Sequence, residues 1–141
     1  MSELVNLSLT DQILGLTDKS FSSKEITTAY LDEIKRRSSL NCFISVFEEE
    51  SIKKAAIADE NILNNKMRPL EGIPIAHKDI FCIKDKKTTC GSKMLSNFIS
   101  PYSSEVFTKL DNVGAITLGK TNMDEFAMGS SNETSFFGEV K

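Results

Sequence analysis

Three stretches of the 141-residue sequence carry side chains that could do chemistry, and the first surrounds Lys78. Lys78 follows the single histidine, His77, at the end of the apolar run Ile73-Pro74-Ile75-Ala76. Such a strand can carry a lysine toward the interior, where burial disfavours the charged form, lowers a lysine's pKa and lets the amine act as a base. Spacing alone favours the plainer alternative, a solvated ion pair between Lys78 and Asp79 at the strand end.

The other two stretches each begin with a glycine. Gly129-Ser130-Ser131-Asn132 is predicted to be flexible, and its backbone amides could hold an anionic or carbonyl oxygen, although an ordinary surface loop is the commoner case. Gly119-Lys120-Thr121 resembles the end of a phosphate-binding loop whose first glycine would be Gly114. The residues between, Ala115-Ile116-Thr117-Leu118, predict a strand, so we expect this match to be accidental.

The cysteines and the histidine suggest no further site. Cys42, Cys82 and Cys90 form neither an even set nor a Cys-x-x-Cys pair, which indicates reduced thiols. With one histidine, we expect no zinc site and assign no metal. A Cys-His hydrolase would pair His77 with Cys82 or Cys90, but no spacing rule identifies that pair.

Composition indicates a globular chain. The sequence is 40% hydrophobic and 26% charged, with a net charge of −3, which argues against nucleic-acid binding through a basic surface. It has no run of about 18 to 20 apolar residues that could span a bilayer. The start, Met1-Ser2-Glu3-Leu4, lacks a basic-then-apolar leader, so we expect no membrane association and a cytoplasmic location.

Apolar spacing predicts helices that alternate with strands, which is typical of an α/β fold. The clearest helix start is Ser22, which can accept a hydrogen bond from the amide of Glu25 while the Glu25 side chain bonds back in a capping box. The predicted helices cover Leu9 to Leu16 with a cap at Ser8 or Thr10, Ser22 to about Arg37, Glu48 to about Asn65, and Ser103 or Ser104 to Val113. The predicted strands are Cys42 to Phe47, which should be buried, a strand starting at Ile73, and Ala115 to Gly119; Asn122 to Phe126 could form a helical turn.

Taken together, these stretches resemble the amidase-signature family. Each is weak alone, but their order and separation are specific, and the resemblance covers nearly the whole chain. It rests on Gly72-Ile73-Pro74-Ile75-Ala76-His77-Lys78-Asp79, on Thr88-Thr89-Cys90-Gly91-Ser92-Lys93, on Gly114-Ala115, and on the run from Gly119 to Ser131. It implies the amino-terminal part of the amidase-signature fold, a mixed sheet flanked by helices that is incomplete in this chain, with residues 1–141 as the amino-terminal portion of a single domain.

The resemblance also implies a mechanism. A serine attacks a carboxamide, a second serine relays protons, and Lys78 is the terminal base of the relay. Both serines belong to a glycine- and serine-rich signature that would follow Lys141, so we expect the chain alone to be inactive. In the family pattern Met128, Gly129, Ser130 and Ser131 line the region near the substrate.

The runs Thr88 to Leu95 and Lys120 to Ser131 are most similar to the glutamine-hydrolysing subunits of tRNA-dependent amidotransferases. This implies a heterotrimer with two other subunits, no cofactor in this chain, and a bacterial cytoplasm or an organelle matrix as its location. One partner would hold Glu-tRNA(Gln) and use ATP and magnesium to convert it, with the released ammonia, into Gln-tRNA(Gln). A stand-alone amidase and a non-catalytic amidase-like binding module are the alternatives.

Overall fold

The computed structural model describes residues 3–141. Met1 and Ser2 lie outside the described residues, and they are part of the segment in which we expect no leader. Helices and strands alternate along the chain, as predicted. The helices are α1 (Leu9–Thr17), α2 (Ser23–Arg36), α3 (Glu48–Leu63) and α4 (Glu105–Asn112), and the strands are β1 (Phe43–Val46), β2 (Pro74–Lys78) and β3 (Ile116–Thr121), with short 3-10 helices at Leu4–Asn6, Ser38–Leu40 and Glu125–Ala127. Among the described residues, no helix combines the length and the apolar character needed to cross a membrane.

The helix starts are fixed by the caps that the sequence predicts. Ser8 caps α1 by accepting a hydrogen bond of 3.2 Å from the Asp11 amide. At the start of α2 the Glu25 amide donates to Ser22 Oγ at 3.0 Å, and the Ser22 amide donates to Glu25 Oε2 at 2.7 Å. The hydrogen bonds that the Ser22 amide and the Ser22 hydroxyl donate to the Glu25 carboxylate hold the pKa of Glu25 below its ordinary value. The predicted capping box is confirmed.

A distant residue completes the start of α2. The Asp59 carboxylate, on α3, accepts hydrogen bonds from the amides of Ser23 at 2.6 Å and Lys24 at 3.1 Å. The hydroxyl of Ser23, which is fully buried, donates to the carbonyl of Gly72 at 2.8 Å. The orphan amides at this helix end therefore bind side chains from two positions in the chain.

The chain divides into two compact units, which are described separately. The first contains the residues up to 36, Phe47–Ile75 and Leu110–Leu118, and the second contains Arg37–Val46, Ala76–Lys109 and Gly119–Lys141. The larger apolar cluster of the first unit consists of Leu16, Ile62 and Ile73, packed against Ile13, Phe21, Met67, Leu70 and Ile75. A smaller cluster of Ala55, Ala58 and Ile116 joins α3 to β3. Whether residues 1–141 belong to a single amidase domain stays a prediction.

The three strands form one small mixed sheet in the order β1-β3-β2. β1 pairs antiparallel with β3, with Ser45 opposite Lys120 and Val46 opposite Gly119. The Ile116 amide donates to the Ile73 carbonyl at 2.8 Å, and further along the Asp79 amide donates to the Thr121 carbonyl at 3.1 Å. Residue numbers increase in the same direction along both strands between these two hydrogen bonds, so β2 runs parallel to β3. The α/β expectation is confirmed.

One local prediction is wrong, and a second is confirmed only in part. β1 was expected to be a buried strand, but it is half-buried and Val46 is 41% exposed, because β1 lies at the edge of the sheet. The helical turn expected over Asn122 to Phe126 is a 3-10 helix at Glu125–Ala127, where Phe126 (φ 54°) and Ala127 (φ 59°) adopt left-handed backbone conformations. Those conformations prevent a regular helix from continuing.

Candidate active site

Lys78 is the last residue of β2, and its side chain is exposed. Within residues 3–141 its ammonium group has no hydrogen-bond or ion-pair partner. The expectation that the strand carries this amine into the interior is wrong for this chain, because side chains alternate along a strand and it is the neighbours His77 and Asp79 that are buried. The alternative of a Lys78–Asp79 ion pair is wrong as well, since Asp79 binds another lysine.

Asp79 forms a buried ion pair with Lys120 of β3. Lys120 Nζ lies 2.8 Å from Asp79 Oδ1, and the two side chains are 0% and 1% exposed. Lys120 also donates to Thr88 Oγ1 at 3.3 Å. The other carboxylate oxygen, Asp79 Oδ2, accepts from the amide of Thr89 at 2.9 Å and from its hydroxyl at 2.5 Å. We call Asp79, Thr88, Thr89 and Lys120 the buried cluster.

The buried cluster fixes the backbone on both sides of Asp79. The Asp79 amide is bonded to the Thr121 carbonyl at 3.1 Å, and the Asp79 carbonyl accepts from the Cys90 amide at 3.1 Å. Burying two charges is costly, and the cost is offset only where each charge has a close partner and further hydrogen bonds. Here both conditions hold, so the ion pair and its hydrogen bonds hold the end of β2, from which Lys78 projects.

The segment 88–92 connects the buried cluster to the residues after β3. The Cys90 carbonyl accepts from the Phe126 amide at 2.9 Å, and Ser92 Oγ donates to Glu125 Oε1 at 2.5 Å. Gly91 has φ +67°, and a Cβ there would lie 2.5 Å from the Met123 carbonyl oxygen, so the two segments touch where only glycine fits. Three of the four stretches that carry the resemblance, residues 72–79, 88–93 and 119–131, therefore meet.

A second buried carboxylate, that of Asp124, organises the loop that follows. Asp124 Oδ2 accepts hydrogen bonds from the amides of Ser131 at 3.2 Å and Asn132 at 2.8 Å. Asp124 Oδ1 accepts from the amide of Thr134 at 3.1 Å and from its hydroxyl at 2.9 Å. The amides of Asn132 and Thr134 contribute most to holding the pKa of Asp124 below its ordinary value. The loop predicted to be flexible is thus anchored at several points.

Met128, Gly129, Ser130 and Ser131, which the sequence assigns to a substrate pocket, lie in the loop around Asp124. Met128 is 76% exposed. The Ser131 hydroxyl donates to Glu133 Oε2 at 2.9 Å. Among residues 3–141, no hydrogen bond joins these four residues to the side chain of Lys78. The buried cluster around Asp79 holds the strand end that carries Lys78, whereas Asp124 holds the loop.

The remaining candidates behave as structural residues. The His77 ring is 3% exposed and lies 5.5 Å from the Phe107 ring and 6.5 Å from the Phe81 ring. Gly119-Lys120-Thr121 lies within β3, so the phosphate-loop match is accidental, as expected. In the described part of the chain, no group of three or more His, Cys, Asp or Glu side chains is placed to hold a metal ion.

The three cysteines are free thiols. Burial raises the pKa of the Cys90 thiol, and the nearby Asp79 carboxylate raises it further, while Lys120 acts in the opposite direction. Cys90 follows Thr89 directly and therefore lies beside the buried cluster. Its thiol responds to both charges of the ion pair.

Sequence reasoning missed the roles of Asp79, Lys120 and Asp124. Lys120 carried only part of a signal, because a lysine at the end of an apolar strand such as Ala115–Leu118 requires an acidic partner only if it is buried, and the apolar run does not decide that. Asp124 carried a less specific signal, since the loop that follows it is rich in small polar residues that offer amide and hydroxyl donors to a nearby carboxylate. Neither signal identifies the partner.

Comparison with known proteins gives a consistent result. The family model described as Amidase matches residues 25–141. The A subunit of the glutamyl-tRNA(Gln) amidotransferase of Nitrosomonas europaea is 53% identical over 139 residues, which cover 98% of this chain and 29% of that protein. The chain therefore spans less than a third of the length of this curated relative.

Two solved structures share the fold over the same portion. The native peptide amidase from Stenotrophomonas maltophilia is 28% identical with a TM-score of 0.84, covering 94% of this chain and 29% of that one. The A subunit of the glutamyl-tRNA(Gln) amidotransferase from Thermotoga maritima is 33% identical with a TM-score of 0.67, covering 84% and 24%. The expectation that the chain contains part of a larger fold is confirmed.

Proposed function

Because the chain belongs to the amidase family, we propose that it forms part of the glutamine-hydrolysing subunit of a glutamyl-tRNA(Gln) amidotransferase. The observation that carries the proposal is the 53% identity, over 98% of the chain, to a relative that bears this name. The reaction is hydrolysis of the side-chain amide of glutamine, which yields glutamate and ammonia. The ammonia then converts Glu-tRNA(Gln) into Gln-tRNA(Gln) for translation.

In this proposal Lys78 is the terminal base. A serine nucleophile and a relaying serine, both in residues past 141, pass a proton to the Lys78 amine when the amide carbon is attacked, and the amine returns it to the departing ammonia. Two observations support the role: the amine has no partner in residues 3–141, and the buried cluster fixes the strand end that carries it. A base must be both available and held in place.

The loop of Met128, Gly129, Ser130 and Ser131 is proposed to line the substrate pocket. Backbone amides in such a loop can hold a carbonyl or carboxylate oxygen of the bound substrate, as well as the oxygen on which negative charge develops during attack on the amide. The anchoring of this loop by Asp124 supports the role, because donors contribute most when they need no rearrangement during the reaction.

We propose the partners of this chain from the same similarity to the A subunit of the glutamyl-tRNA(Gln) amidotransferase. Two further subunits complete a heterotrimer, and one of them holds Glu-tRNA(Gln) and uses ATP with magnesium, so this chain needs no cofactor. The net charge of −3 agrees with tRNA being held by another subunit. The complex would act in a bacterial cytoplasm or an organelle matrix.

The test is ammonia release from glutamine by the protein that the complete gene encodes, purified with its partner subunits. We expect release to rise when Glu-tRNA(Gln) and ATP are added, and to fall by about 10² to 10⁴ in Lys78→Ala, the range that general bases contribute. Equal release from Lys78→Ala would show that Lys78 is not the base.

Lys84→Ala is the matched control. Lys84 is also exposed and lies in the same unit, and its backbone amide, which donates to Ser103 Oγ at 3.0 Å, is kept in the alanine variant. We expect this variant to release ammonia at the wild-type rate. A loss of activity in both variants would point to a general effect of charge rather than to a base at position 78.

A stand-alone amidase is the second candidate, favoured by the TM-score of 0.84 to a peptide amidase. It predicts hydrolysis of simple carboxamides or peptide amides without partner subunits. Assaying the isolated protein on both substrate classes separates the two candidates, because the glutaminase of an amidotransferase should prefer glutamine and respond to Glu-tRNA(Gln).

A further inference from the structure

We propose that Asp124 is a positioning residue for the substrate pocket, which it serves by fixing the conformation in which Gly129 and Ser130 meet the amide substrate. The inference rests on the proposed function, because that function makes the loop after Met128 part of the pocket. Asp124 itself is 6% exposed, and both of its carboxylate oxygens accept hydrogen bonds from within the loop. Its role is to hold the groups that contact the substrate.

The loop is built around the Asp124 carboxylate. Four donors converge on its two oxygens, at 2.8 to 3.2 Å, and all four belong to Ser131, Asn132 and Thr134. Hydrogen bonds to an ionised carboxylate are stronger than those between neutral groups. A single side chain therefore sets the path of the loop directly after Ser130.

Gly129 packs against the same carboxylate from the other direction. A Cβ at position 129 would lie 2.6 Å from Asp124 Oδ2 and 2.8 Å from Asp124 Oδ1, closer than real Cβ atoms come to other atoms. The carboxylate thus occupies the space that a side chain at 129 would need. Residues on both sides of Ser130 are in contact with Asp124.

The anchored loop divides the predicted pocket residues into two groups. The donors of Ser131 are already hydrogen-bonded within the chain, since its amide donates to Asp124 and its hydroxyl donates to Glu133. In residues 3–141, by contrast, the amides of Gly129 and Ser130 and the Ser130 hydroxyl have no hydrogen-bond partner. These three donors are the ones that remain for a carbonyl oxygen or a carboxylate of the substrate.

The test uses the complete amidotransferase carrying Asp124→Asn. Asparagine keeps the shape, but its amide nitrogen faces backbone donors where an acceptor is needed. We expect KM for glutamine to rise by about 10 to 100-fold, since small misplacements of positioning groups have effects up to that size, with a smaller change in kcat. Transamidation driven by ammonium chloride, which replaces the product of glutamine hydrolysis, should stay at the wild-type rate.

Glu133→Gln is the matched control, because it makes the same chemical change in the same loop. The glutamine oxygen can still accept from the Ser131 hydroxyl, and residue 133 is exposed, so KM for glutamine should not change. A merely structural Asp124 would lower the thermal midpoint of the variant while leaving KM unchanged, and that result would overturn the proposal.

Gly129→Ala tests the same idea while keeping Asp124, and it serves if Asp124→Asn does not fold. The added methyl group displaces the loop from the carboxylate, so KM for glutamine should again rise. An unchanged KM in a folded Gly129→Ala variant would contradict the proposal.

Amide hydrogen exchange gives a readout that does not depend on catalysis. In Asp124→Asn the amides of residues 131, 132 and 134 should exchange faster than in the wild type. Faster exchange in a protein that does not hydrolyse glutamine at all would mean that the proposed function fails while the anchoring by Asp124 stands. Unchanged exchange would overturn the anchoring itself.

Discussion

The ends of β2 and β3 lie side by side in one sheet, and each carries a lysine, but the two lysines differ in burial and in their partners. Lys78 is exposed and without a partner in residues 3–141, whereas Lys120 is fully buried and held by Asp79 and Thr88. Both follow apolar strand residues, so the apolar run does not decide which lysine is buried. The partners that surround each position decide it.

The difference separates two roles that a lysine can have at such a site. A lysine whose donors are engaged by fixed acceptors is suited to hold a structure together, since moving its proton would break those bonds. A lysine without partners is suited to exchange protons. Lys120 and Lys78 are therefore predicted to differ most clearly in how much each contributes to stability and to catalysis.

The largest expected effect is that of Lys120→Met. Removing one partner of a buried ion pair leaves an unpaired charge, and we expect the free energy of unfolding to fall by about 3 to 5 kcal/mol. Urea unfolding of the protein encoded by the complete gene, followed by circular dichroism, measures it. A stability close to that of the wild type would show that Asp79 gains other partners and that the contrast with Lys78 is false.

A smaller loss is expected from Thr88→Val. The variant keeps the shape of the side chain but removes the hydroxyl that accepts from Lys120 Nζ at 3.3 Å, while the Asp79–Lys120 ion pair stays in place. We expect a loss of about 1 kcal/mol in the same unfolding experiment, the usual contribution of one hydrogen bond. A loss as large as that of Lys120→Met would mean that the hydroxyl, rather than the carboxylate, dominates the binding of Lys120.

The reactivity of the Cys90 thiol depends on the charges of Asp79 and Lys120 in the buried cluster. Burial and the Asp79 carboxylate raise the pKa of this thiol, so its reactive thiolate forms only at a pH above the ordinary thiol range. Alkylation by iodoacetamide at mildly alkaline pH should therefore be slower in the folded than in the denatured protein. Asp79→Asn should lower the pKa and speed the reaction, as measured by mass spectrometry of the Cys90 peptide; a slower reaction would contradict this sign.

The smallest effect on stability is expected from Lys78→Ala. An exposed side chain with no partner contributes little, so the free energy of unfolding should change by less than about 0.5 kcal/mol. The same variant should lose ammonia release from glutamine, as proposed above. A loss of stability comparable to that of Lys120→Met would show that Lys78 is a structural residue in the complete protein.

Local features of the fold were predictable from sequence, and features that join distant residues were not. The capping box of Ser22 and Glu25 depends on residues three positions apart, and it forms as predicted. The helices and strands follow from apolar spacing for the same reason. The ends of these helices and strands lie within about two residues of the predicted positions, and the remaining shifts arise because tertiary contacts decide where each element stops.

The site was only partly predictable. The stretches that meet around Asp79 were identified by their order, yet the pairing of Asp79 with Lys120 joins residues 41 positions apart, and nothing in either sequence neighbourhood specifies it. Lys78 is exposed because its neighbours His77 and Asp79 occupy the buried face of the strand. The sequence does not show which face is buried, because that depends on how both faces pack. The donors to Asp124 lie 7 to 10 residues away, beyond the two-residue reach of an Asx turn, so local turn chemistry does not specify them either.

The cap that Asp59 provides to α2 has a consequence for the order of folding. The amides of Ser23 and Lys24 bind a carboxylate that lies 36 and 35 residues later in the chain, so the amino end of α2 is satisfied only once α3 has docked. Helix formation in isolated segments of this length is marginal in water. We therefore expect α2 and α3 to fold and to unfold as one cooperative unit, in which neither helix is stable until the other has formed and packed against it.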